Sequence, residues 1–396
     1  MNVYQEKGQQ AVDLLGEFGL DAWLIFVRET AELDDPVLKL LGPQRAVWPA
    51  AFIFGRAGQR IAITGKGDDE GIRSLGLFDE VIPYTLSIQD DLVRVLTQLD
   101  PGRIGLNYSR DDVSADGLTY GMFLNLQDYL KDTPYAGRLV SAQDFVAALR
   151  GRKSPLELAA MRRAIAVSME IYDALTAWLR PGQSEGEIFE FVQDQVRARG
   201  VDFGWPASGC PSLNAGPDSP WGHATASGDV RTAQGQTLNM DFGVKVDGYG
   251  SDNQRVWYFL RDGETRAPAE VQRVFDAVVN AIQAAADFVR PGVLGWEVDA
   301  VARKAITDAG YPEYPHALGH SVGRHSHDGG VGFYPRWARY GAKPYGQIYE
   351  GGVFTLELGI RSEFGYIGLE EEILITADGC EWLWPPQKSI ILIPPR

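Results

Sequence analysis

An internal repeat in the second half of the chain constrains its fold more than any other feature. Arg180-Pro181-Gly182 returns as Arg290-Pro291-Gly292, and at the same offset Glu187, Ile188, Val196 and Gly200 correspond to Glu297, Val298, Ile306 and Gly310. Each copy reads as a helix, a Pro-Gly break and a second helix that ends at glycine. Each is followed by a strand with an acidic residue two places before a glycine, Asp241-Phe242-Gly243 in the first and Glu357-Leu358-Gly359 in the second. Two related half-domains facing each other would bring their acidic strands to one centre.

With 396 residues the chain exceeds what one hydrophobic core usually supports, so two domains are expected. Between Asp21 and Ser109, runs at Ala22 to Val27, Ala51 to Gly55, Arg60 to Thr64 and Arg103 to Tyr108 read as strands. Asp68 to Gly76 and Ser87 to Gln98 read as helices, the alternation of a small α/β domain. Ser154, Pro155 and Glu157 then spell a helix start: a serine cap, a proline in the first turn and a glutamate three residues after the cap. A long amphipathic helix to about Leu179 is expected from there. The boundary falls just before it, which gives domains of residues 1–150 and 151–396.

Composition removes several classes of function. The net charge of -16 argues against a polyanionic partner such as nucleic acid. Cys210 and Cys380 are far apart and in no paired spacing, so neither a disulfide framework nor a thiolate metal site is expected, and a reducing cytoplasm fits best. Residues 1–19 read as an amphipathic helix without the apolar centre of a signal peptide. No run of 18 apolar residues suggests a membrane span.

The chemistry concentrates in the two acidic hairpins. An Asp247-Gly248 turn sets a register in which Asp252 lies opposite Gly243, leaving Asp241 and Asp252 as a diagonal pair on one face, roughly 5 to 8 Å apart. Glu357 sits in the apolar run Val353 to Ile360, and Glu370 opens a Glu-Glu-Glu run embedded in Tyr366 to Thr376. Carboxylates buried there need partners or metal. Period-2 alternation places Glu370 and Glu372 on the same face and does not choose between them. Five histidines occur, His223 before the first hairpin and His316, His320, His325 and His327 within one short stretch between the hairpins. One neutral imidazole with four carboxylates balances two divalent cations, and an oxygen-rich set favours Mn²⁺ or Co²⁺, with Zn²⁺ also compatible.

Asp241, Asp252, His316-Ala317-Leu318-Gly319-His320, His327-Asp328, Leu356-Glu357-Leu358-Gly359 and Leu369-Glu370-Glu371-Glu372 resemble the pita-bread metallopeptidases, a group with prolidase, aminopeptidase P, methionine aminopeptidase and creatinase among its members. The resemblance covers about 240 residues specifically and the N-terminal part loosely. It implies a mixed α/β (α+β) protein, a small creatinase-like α/β domain followed by a pita-bread domain with an internal pseudo-two-fold repeat. It implies Asp241, Asp252, Glu357 and Glu370 as carboxylate ligands of two divalent ions and His320 as the nitrogen ligand. It also assigns His223, His316 and His327 to the non-ligand active-site histidines, Glu357 to proton transfer, and no role to His325. The implied reaction is metal-assisted hydrolysis of the peptide bond before proline by an Xaa-Pro dipeptidase acting on small peptides. An Xaa-Pro aminopeptidase for longer peptides is the near alternative, and a creatinase or a non-catalytic interaction protein on the same fold are more distant ones.

The chain departs from that pattern in one place. Leu358 and Arg361 stand where the family usually has proline and tyrosine, and Gly368 stands where it usually has arginine. Arg361 and Tyr366 are the nearby residues that could take over substrate binding. Arg361 is expected to read a free α-carboxylate through its planar guanidinium, with Arg336 and Arg339 as weaker candidates. Relatives with this N-terminal domain suggest a homodimer, in which the acidic loop Glu29 to Asp35 would reach a substrate amine.

Overall fold

The computed structural model describes residues 2–42, 44–220 and 226–395. The chain divides into two compact units, residues 1–150 and 151–396. In the first, six strands form one sheet: β1 (Ala22–Val27), β2 (Ala50–Gly55), β3 (Arg60–Gly65), β4 (Glu80–Tyr84), β5 (Ile104–Leu106) and β6 (Leu139–Ser141), in the order β4-β3-β2-β1-β5-β6. Alternation along β1 feeds two cores at once. Trp23 and Ile25 enter the core on one face, while Leu24 and Phe26 enter the core on the other. The strands at β4 and β6, which the sequence pattern does not announce, are the two edges, where half-exposed residues dilute the apolar signal. Within the acidic loop 29–35, Glu29, Glu32 and Asp34 are exposed. Asp35 is not: it is buried, accepting hydrogen bonds from Val37 N and Asn107 Nδ2, so it is unavailable to a substrate amine.

The second unit opens as its sequence predicts. Ser154 caps the helix Pro155–Trp178, its side chain accepting from Glu157 N while Glu157 Oε2 accepts from Ser154 N, a reciprocal pair that satisfies two otherwise orphaned donors. The repeat then appears twice in three dimensions. Helices Pro155–Trp178 and Glu185–Arg199 form the first pair, and Ala269–Phe288 and Gly295–Asp308 the second. Gly182 and Gly292 turn the chain at φ 93° and 90°, a conformation that a side chain would resist. Gly182 N donates to Thr232 O, and Gly292 N donates to Ile348 O, so each turn is pinned to the segment entering the following acidic strand. Glu187 and Glu297 accept from the backbone amides of Ser184 and Leu294, which explains their place in the repeat. Ile188, Val196, Val298 and Ile306 are fully buried.

Both copies deliver their strands to one sheet. Strands β8 (Ser212–Ala215), β9 (Thr237–Phe242), β12 (Asn253–Phe259), β13 (Val353–Ser362) and β14 (Gly365–Ile375) lie in the order β13-β14-β12-β9-β8, with β15 (Cys380–Trp382) on β14 and β16 (Ile391–Ile393) on β12. A small second sheet contains β7 (Asp202–Phe203), β10 (Val244–Val246) and β11 (Tyr249–Gly250). The expected hairpin keeps its register across this change of sheets, with Val246 opposite Tyr249 and Gln254 opposite Asp241. It is interrupted at Gly243, where a Cβ would collide with Ser251 O and where Gly204 N and Cys210 Sγ donate to the Gly243 carbonyl. One face of the sheet carries Leu356, Leu358, Ile360, Ile367, Leu369 and Ile373 into a core shared with helices Ala269–Phe288 and Gly295–Asp308. The opposite face carries Asp241, Glu357 and Glu370.

Candidate metal centre

Antiparallel pairing places directly opposed residues on the same face. The ladder aligns Glu357 with Glu370, Glu370 with Gln254, Gln254 with Asp241, and Asp241 with Ser212, one row across five strands. Asp252 lies two residues before Gln254, and the Asp241 and Asp252 side chains are within hydrogen-bond reach of each other. The Glu-Glu-Glu run is divided by the pleat. Glu370 joins the row, and Glu371 turns to the other face, where Arg255 Nη1 and Nη2 grip it at 3.1 and 3.0 Å. Glu372 supports from beside, its Oε1 accepting the Asp252 amide at 2.8 Å. Alternation puts Glu370 and Glu372 on one face, and the pairing gives Glu370 a place in the row and Glu372 the Asp252 amide.

His320 comes from a segment that runs along the edge of β13. Glu357 N donates to Leu318 O and Thr355 N to His320 O, while His320 N donates to Thr355 Oγ1. Gly319 is required here because a Cβ would run into the Thr355 carbonyl. The result is an imidazole whose Nε2 lies 3.5 Å from Glu357 Oε1, 3.6 Å from Glu370 Oε1 and 3.9 Å from Asp252 Oδ2. Ligand atoms of Asp252, His320 and Glu370 all fall within 4.8 Å of one another.

The electrostatics of this cluster call for cations. Burial first, and the repulsion of neighbouring carboxylates next, hold Asp252, Glu357 and Glu370 well above the usual carboxylate range, and burial does the same for Asp241. Burial, then the charge of His327, pushes His320 down to about 3, so its imidazole is neutral and able to donate a lone pair. Asp241 Oδ1 is shut off from solvent without a hydrogen-bond partner among the described residues. Four converging carboxylates, a neutral imidazole and an orphaned oxygen fit a divalent-metal site, since burial of unpaired carboxylates is otherwise costly. Gln254 adds the one amide in the row, Nε2 lying 3.2 Å from Glu370 Oε2 and 3.4 Å from Glu357 Oε2. Sequence reasoning passes over Gln254, although its position two residues after Asp252 in the same strand marks it as sharing that face.

The remaining expected residues divide. His327 packs edge-on against His320, ring centroids 4.3 Å apart. Asp328, next to it, forms a fully buried ion pair with Lys153, Nζ to Oδ2 3.2 Å, and donates its amide to Ser321 O. His316 is half-buried, its Nδ1 2.7 Å from Ala317 O, and burial lowers its pKa, so it is neutral at neutral pH. His325 contributes its carbonyl to Gly323 N. His223 lies outside the described residues. Arg361 is exposed, and its Nη2 donates to Pro217 O and Ser219 O at 3.3 Å each, which ties that nitrogen to backbone carbonyls. Arg336 stacks on Trp296 and Arg339 on Trp337 and Tyr340. Tyr366 folds back over the hairpin beside the row.

Fold and site together define a hydrolase-like α/β protein built around a carboxylate and histidine centre for divalent metal. Residues 159–377 match the model of metallopeptidase family M24, and the chain belongs to that family. It is a metallopeptidase with the pita-bread fold, and its substrate is a peptide. An Xaa-Pro dipeptidase of Pyrococcus horikoshii is 28% identical over 396 residues, covering 99% of this chain and all of the relative. Among solved structures, an Xaa-Pro dipeptidase from Bacillus anthracis superposes with a TM-score of 0.73 at 21% identity, covering 98% of this chain and 100% of the other. An X-Pro aminopeptidase from Thermotoga maritima gives 0.70 at 24% identity, covering 98% and 99%. No helix among the described residues is long and apolar enough to cross a membrane.

Proposed function

We propose that the chain is a dinuclear-metal Xaa-Pro dipeptidase. The observation that carries this reading is the row of Glu357, Glu370, Gln254 and Asp241 closed by Asp252 and His320, in a chain similar end to end to an Xaa-Pro dipeptidase. Asp241, Asp252, His320, Glu357 and Glu370 would hold the two ions, and the oxygen-rich set suits Mn²⁺ or Co²⁺ ahead of Zn²⁺. Such ions, when bound, lower the pKa of water and polarise the scissile carbonyl.

The protein's own groups handle protons and position. Glu357 has a side chain 21% exposed, against 7% for Asp252 and 2% for Glu370, so it is the accessible member of the three carboxylates around His320. Its raised proton affinity suits it to take a proton from the attacking water and pass it to the leaving amine. His327, braced against His320 and followed by the Lys153–Asp328 pair, would donate a hydrogen bond to the developing oxyanion. His316, neutral and adjacent to the ligand segment, shapes the pocket for the leaving group, and His223 completes the set of non-ligand histidines. Arg361 would meet the substrate's carboxylate only with the guanidinium N–H groups that Pro217 and Ser219 leave available. Residues 1–150 would form the creatinase-like domain and 151–396 the catalytic domain of a cytoplasmic homodimer.

The test compares Xaa-Pro dipeptides with Xaa-Pro tripeptides and longer peptides, each with and without added Mn²⁺. Metal-dependent cleavage restricted to dipeptides is the expected outcome. Preference for longer peptides would make the chain an Xaa-Pro aminopeptidase, and hydrolysis independent of metal would overturn the reading.

A further inference from the structure

On the site face of the β13 and β14 hairpin, the pair next to Glu357 and Glu370 is Gly359 opposite Gly368, and the pair after that is Arg361 opposite Tyr366. Neither Gly359 nor Gly368 has a positive φ, so backbone conformation does not require glycine at either position. Space does. A Cβ on Gly359 would overlap the Tyr366 phenol, and a Cβ on Gly368 would overlap the edge of the same ring and stand 3.0 Å from Gln254 Oε1. The Tyr366 ring therefore lies down across two bare backbones and points back toward the ligand row. Gln254, whose amide donates to Glu357 and Glu370, is its neighbour on that side. One step along a strand face is about 7 Å, so a flat aromatic surface stands that far from the ligands. Tyr366 remains half-buried, which leaves part of the ring accessible.

We propose that Tyr366 is the specificity-determining wall of the substrate pocket and that its ring packs against the pyrrolidine ring of the residue after the scissile bond. This rests on the Xaa-Pro reading above. Across all Xaa-Pro substrates the pyrrolidine is the one constant apolar group, and a ring already immobilised on a glycine platform offers contact area at little further entropic cost. Position 368, being glycine, offers no polar or charged group that would compete for that face.

The experiment measures kcat and KM for Ala-Pro in Tyr366→Phe, Tyr366→Leu and Gly368→Ala. It also measures calorimetric binding of L-proline and L-alanine to the Mn²⁺-loaded proteins, with manganese content determined on each sample. Tyr366→Phe keeps the ring and should stay within about threefold of wild type. Tyr366→Leu should raise KM for Ala-Pro by roughly tenfold or more with a smaller change in kcat, and should erase the preference for L-proline over L-alanine. Gly368→Ala leaves Tyr366 intact but displaces its ring, so it should behave like Tyr366→Leu at unchanged manganese content. A Tyr366→Leu enzyme with wild-type KM and wild-type proline preference overturns this inference alone. A wild-type protein that cleaves no Xaa-Pro dipeptide and binds no proline overturns both this inference and the reading it rests on.

Discussion

Replacing Lys153 by Met tests how the loop carrying the histidines is held. The Lys153 ammonium lies 3.2 Å from Asp328 Oδ2, and both side chains are 1% exposed. At that separation two unit charges attract by about 5 kcal/mol at an effective dielectric near 20, but burial of each charge offsets most of this. The cost of the substitution therefore comes from removing the buried cation that faces the Asp328 carboxylate, about 3–5 kcal/mol. The same ammonium also eases the charge on Glu372, which holds the Asp252 amide, so its removal should weaken metal binding as well as stability. Lys153 N remains bonded to Gly351 O, so the substitution leaves the local backbone anchored. Urea unfolding, fitted on the transition that shifts with Mn²⁺, should show the loss in Lys153→Met. The double variant Lys153→Met, Asp328→Leu should recover to within about 1–2 kcal/mol of wild type, because an apolar pair has no buried charge to leave stranded. A loss below about 1 kcal/mol in the single variant, or no recovery in the double, would refute a buried ion pair as the brace of this loop.

Three further outcomes follow from the site. Asp252→Asn and His320→Ala should each lower manganese content and hydrolysis together, as read by elemental analysis and turnover; undiminished metal in both would remove these residues from the ligand set. His327→Ala should reduce kcat by about 10²-fold or more with manganese content retained, whereas His325→Ala should leave both near wild type; equal metal loss in the two variants would contradict the division. Because burial raises the pKa values of Asp241, Asp252, Glu357 and Glu370, the metal-free centre holds protons at pH values where free carboxylates are ionised. Protons and metal then compete, so Mn²⁺ affinity should rise with pH through that raised range, with protons released on binding. Calorimetry in buffers of different ionisation enthalpy would detect the release, and an affinity independent of pH would count against it.

Much of the second unit is determined by sequence that acts locally. The Ser154-Pro155-Glu157 start becomes a capped helix because its hydrogen bonds lie within one turn. The paired Arg-Pro-Gly breaks become matching turns because Gly182 and Gly292 alone tolerate the required φ. Asp241, Asp252, His320, Glu357 and Glu370 stand out because carboxylates and histidine set among apolar residues need an explanation in charge. Tertiary structure decides what depends on which strands become neighbours. Period-2 alternation assigns Glu370 and Glu372 to one face, but only the pairing of β14 with β12 at Gln254 gives Glu370 its place in the row and Glu372 the Asp252 amide. Arg361 is chemically capable of reading a carboxylate, yet the packing of residues 217–219 against β13 turns one of its nitrogens to backbone carbonyls. The Lys153–Asp328 pair joins residues 175 positions apart, and no local rule links them. Tyr366 lies flat only because two glycines on neighbouring strands, Gly359 and Gly368, meet beneath it. Composition and periodicity act through a few bonds along the chain, whereas the register of a sheet is set by many weak contacts between distant segments, and the site is read out from that register.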